Sequence, residues 1–186
     1  MGPFLTCALH DWTRVLELGA DDLGRIGEID RSETVRLKYL YDDGTLRPVE
    51  INHEIPTWSD GMVAEAVGML APKLRDGGVL LGAFDGDRLV GVAVLGGVFI
   101  GEARDQLQLA FLYVSNGYRR RGIAKRLMDE ACARARLKGA RQLYISATET
   151  ESAVGFYLGY GCRLARQVDQ ALYRLEPLDI HLTLDL

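Results

Sequence analysis

Apolar and polar positions alternate in short runs along this chain, and the runs change period at identifiable places. Strand-like runs over Thr13–Leu18, Val35–Tyr41, Leu46–His53, Gln106–Val114 and Leu143–Ala147, and the apolar runs Val79–Phe84 and Leu89–Val98, predict strands. Cys162–Ala165, Ala171–Leu175 and Ile180–Leu184 predict three further strands near the C-terminus. Asp43-Gly44 and Asp85-Gly86-Asp87 are turn signals that fold two of these pairs into hairpins. Ile123, Leu127, Ala131 and Ala135 recur every four residues and mark the apolar face of a helix over Arg121–Lys138. Shorter helices are predicted over Asp21–Ile29, over Asp60–Arg75 with Asp60 as cap and Pro72 as a kink or early stop, and over Ser152–Leu158. Strands first, then strand–helix–strand–helix, gives an α/β fold with a mixed sheet covered by helices.

At 186 residues, with 48% hydrophobic and 26% charged side chains, the chain can bury a core without a staple. We expect one domain over 1–186. Three Cys, no C-x-x-C pair and three His argue against a disulfide scaffold and against a metal module. No run of about 18 apolar residues suggests a membrane span, and no basic n-region suggests a secretory leader, so a cytoplasmic protein is expected. Gly2 and Thr6 match a myristoylation pattern only formally, because Pro3 fits it poorly.

Charge changes the picture more than composition does. Residues 1–117 carry net −8, residues 118–141 net +7 and residues 142–186 net −3. One short basic segment in an acidic protein suits a small polyanion. A nucleic-acid footprint is not expected, because the rest of the surface would repel phosphates.

That segment begins with the most informative stretch, Leu112-Tyr113-Val114-Ser115-Asn116-Gly117-Tyr118-Arg119-Arg120-Arg121-Gly122-Ile123-Ala124. An apolar strand ends, a polar turn follows, and a helix opens on small residues. The first N–H groups of a helix lack internal partners and sit at the positive end of its dipole. Gly122 and Ala124 allow close approach, and three consecutive Arg add bidentate donors. The combination reads as a pyrophosphate site, or as an ordinary helix start with a basic surface. A second cluster, Ala153-x-x-Phe156-Tyr157-x-x-x-Gly161, puts Ala153, Phe156 and Tyr157 on one helical face. Tyr157 is either a core aromatic or a proton donor to a departing thiolate.

Together these segments resemble the GNAT superfamily of N-acetyltransferases over about residues 79–165. Arg119 to Ala124 matches its acetyl-CoA motif Q/R-x-x-G-x-G/A, and Ala153 to Gly161 its later A-x-x-F-Y-x-x-x-G segment. The resemblance implies a mostly antiparallel twisted sheet flanked by helices, with strands splayed at the acetyl-CoA site. Residues 79–165 would form the acetyl-CoA core, 1–78 an acceptor-side half with an extra hairpin, and 166–186 C-terminal strands.

It also implies residue roles. Backbone groups of Leu112 and Val114 would pair with the pantetheine arm. The Arg121-Gly122-Ile123-Ala124 helix start would hold the pyrophosphate, with Arg119, Arg120, Lys125 and Arg126 adding charge. Tyr157 would protonate the leaving thiolate, and the Val114 N–H would stabilise the oxyanion. Thr150 stands where the family often has Asn, so its contact with the CoA arm is an open question, and Cys162 stands where an aromatic usually follows the Gly. No metal is implied.

The implied reaction moves an acetyl group from acetyl-CoA to a primary amine of a small molecule or peptide by direct attack. The alternative is a non-catalytic CoA-binding regulatory module. Gln106 and Gln108 occupy the strand where relatives place a Glu base. Glu102, Glu54, His53 and Glu28 are left as candidates for that role. Residues 21–54 hold nine acidic and five basic side chains. With Tyr39, Tyr41 and Trp58 nearby, they suit either a cationic acceptor or a merely soluble surface. The sequence leaves the oligomeric state open, a homodimer included.

Overall fold

A computed structural model describes residues 14–186. The Gly2/Thr6 pattern, Cys7 and the first residue of the predicted Thr13–Leu18 strand lie outside the described residues. Strands β1 (Arg14–Leu18), β4 (Val79–Asp85), β5 (Arg88–Ile100), β6 (Gln106–Val114), β7 (Gln142–Ala147), β8 (Arg163–Leu164) and β9 (Ile180–Asp185) form a sheet of order β1-β4-β5-β6-β7-β9-β8. Among the described residues only the β6–β7 pair of this sheet is parallel. β2 (Glu33–Asp42) and β3 (Thr45–Ile55) make a separate hairpin that turns at Asp43-Gly44.

Helices α1 (Asp60–Arg75), α2 (Ile123–Leu137), α3 (Glu151–Tyr160) and α4 (Gln170–Leu175) accompany the strands, with a 3-10 segment over Ala20–Glu28. One apolar layer packs α2 and α3 on the sheet through Leu107, Leu109, Leu127, Met128, Leu143, Ile145 and Val154. The other packs the 3-10 segment and α1 through Leu23, Ile26, Leu70, Val92 and Phe111. Each sheet face is thereby covered, which is why β4 and β5 read as almost continuous apolar runs.

Four expectations need correcting. Ala171–Leu175 is helical, because Asp169 Oδ1 accepts from Ala171 N and Leu172 N and caps the turn. The C-terminal segment therefore holds a helix as well as strands. The first helix is capped by Ser59, whose hydroxyl accepts from Met62 N, and Asp60 sits inside its first turn. It runs through Pro72 to Arg75, since a proline this close to the C-terminal end interrupts little. α2 starts at Ile123 rather than Arg121, because Arg120 and Gly122 both adopt positive φ.

The feature that shapes the site is a bulge in β6. Register runs Val94↔Phe111 and then Leu95↔Leu109, so Ala110 is an extra residue. Side-chain parity flips across it. Leu107 and Leu109 face α2 and so do Leu112 and Val114, whereas Phe111 and Tyr113 face the opposite layer. Pairing of β6 with β7 also stops there, at Leu109↔Ile145. Beyond it the two strands diverge and leave a wedge between Ala110–Val114 and the end of β7.

Candidate functional site

The wedge has a backbone wall. Ser115 N donates to Val90 O at 2.9 Å, which makes that facing pair a hydrogen-bonded one. Antiparallel ladders alternate, so with the register Gly91↔Val114 and Ala93↔Leu112 these latter pairs are non-bonded. The N–H and C=O of Leu112 and Val114 therefore point away from β5 and into the wedge. The Val114 carbonyl is taken by Arg119 Nε at 3.2 Å. Its N–H faces the opening.

At the end of the wedge stands the start of α2. Gly122 is its N-cap, at φ 81°, with no side-chain cap. Arg120, at φ 61°, also lies in the left-handed region. Two such residues flanking Arg121 curl the backbone into a concave run of N–H groups, which is an anion cradle. A β-carbon built on Gly122 meets nothing within 4 Å, so the ground in front of the cradle is open. The geometry and chemistry suit a pyrophosphate, with Arg120, Arg121, Lys125 and Arg126 all exposed around it.

The basic residues divide by what they touch. The Arg121 guanidinium lies over the Tyr118 ring, 5.3 Å from its centroid, and Tyr118 OH donates to Asp85 at 2.7 Å. Lys125 pairs along the helix with Asp129 at 2.8 Å. Arg119 is committed elsewhere. Besides Val114 O, it donates to Glu33 Oε2 at 2.9 Å and Arg31 O at 3.3 Å. It ties the start of β2 to the end of β6, which is a strut's task.

Tyr157 comes from α3 and is buried against the same layer, edge-on to Phe156 at 5.2 Å. Burial raises its pKa well above the usual range, with Cys162 and Tyr113 contributing in the same direction, so it holds its proton at neutral pH. Thr150 caps α3, its hydroxyl accepting from Ala153 N at 3.3 Å. Gly161, at φ 111°, ends the helix as expected. Burial pushes the Cys162 thiol up to about 12 and also raises Cys132, and both pack in the apolar layer beneath α2 and α3.

Of the four expected bases, none is assembled into the wedge as a partner-free carboxylate or imidazole. Glu28 accepts from Arg25 at 2.6 Å and Leu89 N at 3.0 Å, and the Arg25 hydrogen bond, the largest influence, lowers its pKa. Glu54 accepts from Thr34, and His53 is exposed on β3. Glu102 borders two clefts of about 540 and 760 Å³ at the beginning of β6 and β7, the end opposite the wedge. Gln106 donates to Gln142, and Gln108 accepts from Lys73 at 2.8 Å.

The hairpin reaches the site. Tyr39 N donates to Glu149 O at 2.8 Å, and Lys38 pairs with Glu149 at 3.3 Å, next to the α3 cap. On the far side of β6, Trp58, Phe111 and Tyr113 form an aromatic cluster with centroids 4.7 to 6.0 Å apart. The Arg31 guanidinium covers the Trp58 ring at 4.5 Å, so that face already holds a cation. Asp30 accepts from Ser32 N, and Glu33 pairs with Arg119. These acids of the first half are thus satisfied internally.

A residue that sequence reasoning missed sits nearby. Asp179 precedes β9, and burial pushes its carboxyl up to about 6, helped by Glu176 and Glu149. It lies within electrostatic reach of Tyr113 and Tyr157. Only its place just before an apolar strand could have hinted at it.

Residues 45–160 match the family model described as the acetyltransferase (GNAT) family. The chain belongs to the GNAT acetyltransferase family. Its fold is similar to that of a nourseothricin acetyltransferase, with TM-score 0.68 and 21% identity over 93% of this chain and 98% of that one. It is similar also to a Bacillus anthracis protein assigned as a streptothricin acetyltransferase and solved with acetyl coenzyme A. That match has TM-score 0.63 and 18% identity, over 94% of this chain and 97% of that one. A third likeness is to the PaiA N-acetyltransferase of Thermoplasma acidophilum in complex with coenzyme A, with TM-score 0.60 and 17% identity over 94% and 99%. A search of curated proteins finds no match. For this GNAT chain, no helix among the described residues is long and apolar enough to cross a membrane.

Proposed function

We propose that this chain transfers an acetyl group from acetyl-CoA to a primary amine of a small molecule or peptide. The observation that carries the reading is the wedge itself. A bulge at Ala110 parts β6 from β7, turns the backbone groups of Leu112 and Val114 into the gap, and ends beside an uncapped helix start. A pantetheine arm completes such an open strand edge as a further strand would. The N–H groups around Arg121, Gly122, Ile123 and Ala124 take the pyrophosphate, with Arg120, Lys125 and Arg126 supplying field around it. Arg119 holds the wedge open from behind, and Thr150 fixes the α3 start that carries Tyr157.

In this reading the amine nitrogen attacks the thioester carbon, and the Val114 N–H stabilises the oxyanion. The tetrahedral centre collapses, the C–S bond breaks, and Tyr157 gives its hydroxyl proton to the departing sulfur. Tyr157 regains a proton from the acetylated nitrogen. Residues 1–78 shape the acceptor side, and the reaction belongs in the cytoplasm. Streptothricin is one amine to try, on the strength of the structural neighbours. The test is thiol release from acetyl-CoA with an amine panel comprising streptothricin, spermidine, lysine and a glycyl peptide. Amine-dependent release supports the reading. Tight CoA binding with no release for any amine would favour the regulatory alternative, which Gln106 and Gln108 also suit.

A further inference from the structure

The layer of the sheet opposite α2 carries a polar group that the transfer scheme above leaves unused. Asp179 immediately precedes β9, and His181 is the second residue of that strand. His181 lies directly opposite Ser146 in the β7–β9 ladder. The Tyr144 hydroxyl accepts from Asp169 N at 2.9 Å and stands 2.8 Å from His181 Nδ1. That contact engages Nδ1 and leaves Nε2 as the other polar atom of the ring. Burial lowers the His181 pKa and keeps the ring neutral.

Nε2 is buried without a partner, and so is Ser146 Oγ. His181 is only 8% exposed. Buried polar atoms without partners are costly, and they call for a polar guest. The Ser146 hydroxyl stands close to the Asp179 carboxylate and lowers its pKa, against the larger opposing effect of burial. Ile180, the next residue, pairs with Ala147 at the last rung of β7, so Asp179 stands where the wedge opens.

We propose that Asp179 accepts the proton of the incoming amine, and that Ser146 and His181 form the polar floor on which the amine, or its escorting water, sits. This rests on the acetyl-transfer reading and names its missing base and its substrate class, a cationic amine. The alkylammonium gives one proton to the Asp179 carboxylate and becomes a free amine. The lone pair so released forms the C–N bond. The second proton leaves that nitrogen for Tyr157 as the thiol departs, and Asp179 returns its proton to solvent. Groups facing Asp179 are Glu176 in its own loop, Glu149 after β7, Tyr113 of β6 and Tyr157 of α3. Lys38 is paired with Glu149, and Arg31 and Arg119 act on Tyr113. With its carboxyl at about 6, Asp179 is ionised at neutral pH and able to take a proton.

The experiment compares wild type with Asp179→Asn and Asp179→Glu in the thiol-release assay between pH 5 and 9, with acetyl-CoA affinity measured by calorimetry. Asp179→Asn should lower kcat/KM by about 10²–10⁴-fold and remove the acid limb near pH 6, with acetyl-CoA affinity unchanged. Asp179→Glu should restore part of the rate together with the limb. A carboxyl raised by folding costs stability once ionised, so Asp179→Asn should melt above wild type at pH 8. That difference should shrink as pH falls through about 6 and be nearly gone below about 4. Turnover of Asp179→Asn within about threefold of wild type, or an acid limb that survives in it, overturns the base assignment alone. Wild type that acetylates no amine overturns the transferase reading, and the base with it.

Discussion

The two sides of the wedge are built in different ways. The donor side is one continuous stretch of chain from β6 through the α2 start, and its working groups are mostly backbone N–H. The acceptor side of the proposed reaction would be assembled from four distant places: the β2–β3 hairpin at Lys38 and Tyr39, Trp58 before α1, Glu149 after β7, and Asp179 before β9. Backbone groups can be aimed by a turn and a bulge, so the donor side tolerates varied side chains. Side-chain chemistry must be gathered through packing, so the acceptor side depends on the whole fold. The arginines show the same division. Arg121 and Arg119 are neighbours in one motif, yet Arg121 stays at the cradle while Arg119 crosses to brace β2.

Tyr157 stands where the two sides meet, and its loss should have the largest effect among these four substitutions. Tyr157→Phe keeps the ring packed and removes the proton donor. The rate of thiol release should fall by about 10²–10⁴-fold with acetyl-CoA affinity nearly unchanged. Near-normal turnover would return Tyr157 to the core.

Gly122→Glu attacks the donor side alone. A carboxylate would fill the open cradle, and calorimetry should show CoA binding weakened by at least about 100-fold, or 2.7 kcal/mol. Gly122→Ala serves as the control. It carries only the left-handed strain at φ 81°, a stability loss of about 1–2 kcal/mol, with much smaller loss of CoA affinity. Equal loss of affinity in both variants would mean that backbone shape, not the space before it, holds the ligand.

Arg119→Ala separates the motif from its neighbour. It removes partners from Glu33 and from the Val114 and Arg31 carbonyls, so chemical denaturation should show about 1–3 kcal/mol lost. CoA affinity should move less than about threefold, and a larger drop would return Arg119 to the phosphate site. The smallest effect belongs to Lys38→Ala. Its ion pair with Glu149 is about one-quarter exposed, so stability should fall by about 0.5 kcal/mol or less. The Michaelis constant for the amine should still move more than that for acetyl-CoA, because the hairpin braces the acceptor side.

Strand β6 was legible to the residue, and so was the turn at Asp43-Gly44, because apolar alternation and turn chemistry are local. The cradle was legible for the same reason. Ala171–Leu175 reads as a strand because a five-residue, mostly apolar stretch has no decisive period, and its helical state comes from the Asp169 cap. The acceptor acids were sought in residues 21–54, where charge is dense. Glu28, Asp30 and Glu33 proved to be satisfied by Arg25, Ser32 and Arg119. Charge density along a chain says nothing of which carboxylates find partners once it folds.

The sequence by itself determined the family, the order of the core elements and the glycine-led helix start proposed to bind an anion, since each rests on contacts between residues close in the chain. Tertiary structure alone decided that Ala110 is an extra residue, that β6 and β7 part at Leu109↔Ile145, and that Asp179 and Ser146 come together. Register between strands is set by how side chains pack across layers, and burial of a carboxylate by everything folded around it. Neither quantity belongs to any single segment of the chain.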